Sequence, residues 1–332
     1  MNKRFRLFGM LLLLVPSLTM AQVTDTLTKK LDSLVKKTDS VGGKQVNNIN
    51  PETYNENTKI TVHTYLILLA DDIKQQVTSP LRATGSDWLK IGAFGLFTTG
   101  VVLFVDKPLN RLAVDIRNEN SSVVSASNYV TRFGGAYEGY TLAALGAYGY
   151  IFKKEKTKTT TFLATQAYIT AAAIETALKY ITGRQRPNYY DPVTGQNSPT
   201  WHGPFYQFQK DKNGQKPPLE SYTSFPSGHT TVAFAAATVF AMEYKDIKII
   251  PIIAYSAATL IGLSRIAENQ HWASDVLVGA ALGFLSGRQV VNNYHRYSKI
   301  KSAADKKKGR LSFSLNYMNG TVLPGIVYTF RQ

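Results

Sequence analysis

The sequence predicts an all-α protein, a helical bundle of about six core helices with a short C-terminal tail of β-hairpin character. Three observations predict it. Six apolar stretches without a charged residue recur through the middle of the chain, at Ile91–Val105, Gly139–Phe152, Thr159–Ile174, Thr230–Met242, Ile249–Ser264 and Val276–Gly287. The polar clusters that stand out sit at the ends of these stretches, and an alternating tail follows, folded around Asn319-Gly320.

Taken in order, the N-terminus reads Lys3, Arg4 and Arg6, an apolar run from Leu7 to Leu18, then Thr19-Met20-Ala21. A basic start, a short apolar middle and small residues before a cut site predict a secretory signal peptide over 1–21, with an uncleaved anchor helix as the alternative. Residues 22–58 are polar and Asn-rich and read as a solvated linker. A helical domain is expected over 59–298. Each apolar stretch is 12 to 16 residues long. That is short of the ~18 to 20 of a clean membrane span and equally fits buried helices of a soluble bundle. The tail over 299–332 is basic, with Lys306, Lys307, Lys308 and Arg310, and its Leu311–Tyr317 and Thr321–Phe330 runs flank the Asn-Gly turn signal.

Composition narrows the function classes. The chain has 332 residues, 44% hydrophobic and 18% charged, with a formal net charge of +16. That charge fits nucleic acid, an anionic membrane surface or phosphorylated substrates. No zinc-finger spacing, RNP-like strand or recognition-helix pattern accompanies it, which speaks against nucleic acid. The absence of cysteine excludes disulfides, thiolate catalysis and thiolate metal sites, and fits an exported protein. If the helices span, the lysines at 153, 154, 156 and 158, those at 245 and 248, and the basic tail mark cytoplasmic ends and put the polar clusters outside. Counting back then places residues 22–87 in the cytoplasm, whereas a cleaved leader places them outside, so one of these assumptions must fail.

Three clusters carry chemistry: Lys179-Tyr-Ile-Thr-Gly-Arg184-Gln-Arg186-Pro187, Phe225-Pro226-Ser227-Gly228-His229, and Ser264-Arg265 followed by His271-Trp272-Ala273-Ser274-Asp275. Ser227 and Gly228 directly precede an apolar helix, whose unpaired N–H groups and positive dipole end suit an anion. Lys179, Arg186 and Arg265 add three fixed cations, and the guanidinium fork matches phosphoryl oxygens. His271 and Asp275 are four apart, so on a helix they share a face and the carboxylate can orient the imidazole for attack on phosphorus. His229, beside the anion site, is placed to protonate the leaving group and then to deprotonate water. Taken singly, each of these features has a structural explanation as a dipole partner, a cap or an i,i+4 pair. Their convergence in a chain with five histidines points to a site.

The three clusters resemble, with the motif positions filled in the expected order, the three-part signature of the type 2 phosphatidic acid phosphatase and vanadium haloperoxidase superfamily, over about residues 85–295. The resemblance implies an all-helical bundle and hydrolysis of phosphate monoesters or diphosphates without a metal or cofactor. The roles it implies are His271 as nucleophile, Asp275 as its orienter, His229 as acid and base, and Lys179, Arg186, Ser227, Gly228 and Arg265 as phosphate holders. Arg184 lies outside the matched positions and receives no role. The expected substrate is a phosphorylated lipid met at the membrane, with the site facing the periplasm. The alternatives are a soluble periplasmic acid phosphatase of broad specificity, a vanadate-binding haloperoxidase, and a catalytically dead phosphate binder. The aromatic-rich segment 188–224 reads either as a substrate lid or as a packed excursion. His202 in this segment reads as a surface histidine, with a second acid as the alternative, and His63 and His295 read as incidental.

Overall fold

A computed structural model describes residues 60–190, 197–210, 214, 216–307, 310–318 and 321–329. The expected signal peptide and linker lie outside the described residues. Nine α-helices are present among the described residues: α1 Val62–Arg82, α2 Gly85–Phe104, α3 Asp106–Glu119, α4 Ser121–Thr131, α5 Ala136–Ile151, α6 Glu155–Thr182, α7 Gly228–Glu243, α8 Ile249–Ala267 and α9 Ala273–Lys307. The main chain of two strands follows, β1 Arg310–Met318 antiparallel to β2 Thr321–Thr329.

The helix boundaries follow local chemistry. Thr61 caps α1 by accepting from the Thr64 amide at 3.2 Å. Thr84 and Asp87 form a reciprocal capping box at the start of α2. Gly183, in the left-handed region at φ 56, stops α6 and donates back to the Lys179 carbonyl. Several helices outrun their apolar stretches. α2 has 20 residues, α6 has 28 and α9 has 35, because polar turns at their ends propagate the backbone pattern that the apolar segment starts.

Helix α7 forms the centre. It is buried along nearly its whole length, as a helix apolar on all sides must be, and it packs against α9, α8 and α6. The α9 contact is close because Gly279, Gly283 and Gly287 repeat at every fourth residue. A Cβ at these positions would lie 2.7 Å from the Ser227 carbonyl oxygen, 2.1 Å from that of Thr231 and 2.5 Å from that of Ala235. Small residues at that spacing let two backbones touch, and the packing fixes the start of α7 against the start of α9.

The connectivity sorts the bundle into two ends. α6 finishes, α7 begins, α8 finishes and α9 begins at one end, where all three sequence clusters meet. Lys153 and Lys154 join α5 to α6, Lys156 and Lys158 follow in the first turn of α6, and Lys245 and Lys248 join α7 to α8, at the other. α1 docks on the lysine-end half, with its Tyr65 beside Thr165 and its Asp72 accepting from Asn293 at 2.6 Å. α2 and α8 are long and apolar enough to cross a membrane. Much of α2 faces outward, with Leu96 78% and Phe104 76% exposed.

Candidate active site

The cationic side of the site is built from helix ends. Lys179 lies in the last turn of α6 and pairs with Glu175, one turn earlier, at 3.0 Å. Arg186 follows in the loop, where its amide donates to the Ser221 carbonyl at 2.8 Å and its guanidinium to Gln270 Oε1 at 2.7 Å. Arg265 ends α8, donates to Glu268 and reaches Thr131 Oγ1 at 3.3 Å. The Nε groups of Arg186 and Arg265 are buried without a hydrogen-bond partner among the described residues. Buried donors of this kind are costly unless an acceptor arrives.

The amide side is the start of α7. The Ser227 amide donates to the Asp275 carbonyl at 3.0 Å, and the Ser227 hydroxyl accepts from Thr230 Oγ1 at 2.9 Å. Gly228 is needed for space, since a Cβ there would stand 2.7 Å from Glu175 Oε1 and 3.0 Å from Lys179 Nζ. Gly228→Ala is therefore expected to leave the fold intact and push the Lys179–Glu175 pair off the cup. The expected loss in kcat/KM is about 10- to 100-fold, to be read by steady-state phosphate release with circular dichroism as the folding control. An unchanged kcat/KM would remove Lys179 from the anion site.

His229 sits in the first turn of α7 against the turn Arg132–Gly134. A Cβ on the next residue, Gly135, would lie 3.3 Å from its Nε2. Burial first, then Arg265, Lys179 and Arg186, hold its pKa down to about 3. A bound dianion would oppose those cations and restore its basicity.

His271 precedes α9 and is 1% exposed. Burial, then Arg186, Arg265 and Lys179, push its pKa well below the usual imidazole value. The sequence expectation that Asp275 accepts a hydrogen bond from His271 across an i,i+4 helical step is corrected. Nδ1 lies 3.7 Å from Asp275 Oδ2, but 2.7 Å from the Ser224 carbonyl oxygen. The helix begins only at Ala273, so residue 271 does not share its register. Asp275 instead reaches back to accept from the Trp272 amide at 2.9 Å and from the Ser224 hydroxyl at 2.5 Å. A carbonyl can only accept. The Nδ1–H···O bond therefore fixes the tautomer and leaves the lone pair on Nε2.

The predicted residues come together. Lys179, Arg186 and Arg265 act electrostatically on both His229 and His271, and the main chain ties Ser227 to Asp275. Beside Arg265 and Arg186 opens a polar cleft of 420 Å³ lined by Arg117, Asn128, Thr131, Arg132, Glu268 and Gln270. His202 packs within its own loop, stacked on Tyr206 and edge-on to Tyr222, and His295 pairs with Glu243 at 2.7 Å near the lysine end. The described part of 188–224 is tied to the bundle through Trp201, which pairs in a short bridge with Arg184 and packs on Phe225.

Sequence reasoning missed Ser224, Asp106 and the part played by Arg184. Arg184 is fully buried and donates to Asp275, to Ser274 Oγ at 2.7 Å and to Asp106 Oδ2 at 2.6 Å. Its place two residues before Arg186 was the one available signal; nothing in the local sequence distinguishes Asp106.

The family model described as the PAP2 superfamily matches residues 160–299. Over 73 residues, 22% of this chain and 16% of the relative, the sequence is 48% identical to a lipid A 1-phosphatase of Porphyromonas gingivalis. Over 171 residues, 42% of this chain and 49% of the relative, it is 28% identical to lipid phosphate phosphatase 1 of Arabidopsis thaliana. The chain thus spans less than half the length of either. Among solved structures, Aquifex aeolicus LpxE is similar at 24% identity and a TM-score of 0.38, over 57% of this chain and 95% of that one.

Proposed function

Residues 160–299 belong to the PAP2 superfamily, and from that footing we propose that this protein hydrolyses the phosphate esters of lipids through a phosphohistidine on His271, without a metal ion. One observation carries the reading: a tautomer-fixed imidazole and a second imidazole share the field of the same three cations at one end of the bundle.

In the first half-reaction Nε2 of His271 attacks phosphorus. The N–P bond forms as the P–O bond to the leaving group breaks, and His229 gives its proton to the departing oxygen. Lys179, Arg186, Arg265 and the amides at Gly228 and His229 stabilise the charge that spreads over the equatorial oxygens. In the second, His229 takes a proton from water, whose oxygen displaces the imidazole and releases inorganic phosphate. The polar cleft beside Arg265 receives the leaving group.

The outward apolar side chains of α2 support a membrane setting over a soluble periplasmic one, because contiguous apolar surface of this kind marks a lipid or partner contact. The lysine-rich loops at one end of the bundle then face the cytoplasm and the site, at the opposite end, faces the periplasm. The test is phosphate release by the full chain in detergent micelles and in EDTA, with a phosphatidic acid and a water-soluble aryl phosphate as matched substrates. The lipid is expected to be preferred by at least about tenfold in kcat/KM, roughly 1.4 kcal/mol, and EDTA to leave both rates unchanged. Loss of turnover on chelation, restored by zinc or magnesium, would overturn the metal-free reading. Equal use of both substrates, with the protein in the soluble fraction, would favour the periplasmic acid phosphatase.

A further inference from the structure

We propose that Arg184 and Asp106 form a clamp that positions the nucleophile, acting on His271 through Ser224 and Asp275. This rests on the reading that His271 attacks phosphorus.

Two carboxylates contact one guanidinium directly. Asp106 is 1% exposed, and Arg184 and Asp275 are 0% exposed. Arg184 spans the gap, with one terminal nitrogen on Asp275 and Ser274 and the other on Asp106. The ring of Trp201 lies 4.5 Å from its guanidinium carbon and that of Trp272 6.0 Å, which restricts its rotamers. Burying three charges is a poor way to gain stability, since well-packed apolar side chains would serve as well. What such a network does provide is geometry, and every bond in it leads toward His271.

The paths are short. The Arg184 carbonyl accepts from the Ser224 amide at 3.0 Å, which places the Ser224 carbonyl that holds Nδ1. The guanidinium holds Asp275, and Asp275 holds the Ser224 hydroxyl and the Trp272 amide. From the far side Asp106 accepts from the Ser274 amide at 2.9 Å and its hydroxyl at 2.7 Å, fixing the first turn of α9. His271 is thus set from both flanks: through Ser224 on one, and through the Trp272–Asp275 turn on the other. Neither Arg184 nor Asp106 reaches the phosphate-binding groups, so their contribution is to where Nε2 points and not to how tightly the anion is held.

That separation is the test. Asp106→Asn keeps the shape of the side chain and removes the charge opposite Arg184. Its kcat is expected to fall on the order of 100-fold, the cost of a displacement near 1 Å at a reacting centre, while KM and inhibition by orthovanadate stay within about threefold. Arg184→Lys keeps the charge and loses the fork, so it is expected to resemble Arg184→Ala in kcat and not the parent. Ser224→Ala, which retains the carbonyl and deletes only the hydroxyl tie to Asp275, should lose about tenfold in kcat, and it decides the matter if Asp106→Asn does not fold. The clamp is refuted if Asp106→Asn or Ser224→Ala keeps the parental kcat, or if KM and the vanadate constant rise in step with the loss. An inactive parent chain would instead refute the phosphatase reading, which separates the two failures.

Discussion

Replacing His271 by alanine is expected to abolish phosphate release, with kcat falling on the order of 10⁴-fold or more, because no second nucleophile is positioned for phosphorus. The imidazole is buried and held by one main-chain bond, so its removal leaves a small void and one unpaired carbonyl, a cost the bundle around α7 can absorb. The anion cup is built from other residues, so inorganic phosphate is expected to raise the melting temperature of the variant and of the parent alike. Loss of turnover with retained phosphate binding is the expected pair of results. Full turnover by His271→Ala would end the phosphohistidine mechanism. The depressed basicity of His271 adds a pH expectation. In the free enzyme the neutral, nucleophilic form persists below the ordinary imidazole range near 6.5, so kcat/KM, which reports the free enzyme, should not fall through protonation of His271 as the medium is acidified through pH 6.

Why some of this was legible in sequence and some was not is a matter of range. The cup reads directly because each of its parts is a short local pattern. A glycine and a serine before an apolar run mark a helix start, and a lysine before a left-handed glycine marks a helix end. The class of the fold reads for the same reason, through the long apolar runs of α2, α7 and α8. Helix lengths do not, because polar turns such as Ser286 to Lys307 continue α9 well past its apolar segment. The orientation of His271 does not read from sequence, because a four-residue spacing to Asp275 looks helical while the helix starts between them. Asp106 was invisible for a deeper reason. It pairs with Arg184 across 78 residues and with Ser274 across 168, and nothing local in a lone aspartate at a helix start separates a cap from half of a buried ion pair.

His229→Ala is expected to divide the two half-reactions by the quality of the leaving group. An alkyl phosphate must depart as an alkoxide unless a proton is supplied, so its turnover should fall by about 10² to 10⁴. An aryl phosphate with an acidic phenol needs no such help in the first step, and its phosphoryl group should pass to His271 at a nearly parental rate. Water then lacks its base. The phosphoenzyme should accumulate and be visible as acid-labile, base-stable phosphate on residue 271 after rapid quenching. His229 is also a stability determinant in acid. Its folded-state pKa of about 3 lies below the unfolded value near 6.5. The unfolded chain therefore takes up a proton that the native state refuses. The stability this neutral imidazole contributes is whole above pH 6.5 and drains as the pH falls toward 3. His229→Ala should accordingly unfold less steeply with acid than the parent, and inorganic phosphate should protect the parent by letting His229 hold its proton beside a bound anion. Equal loss on alkyl and aryl substrates, with no phosphoenzyme trapped, would show that His229 shapes the cup without moving a proton.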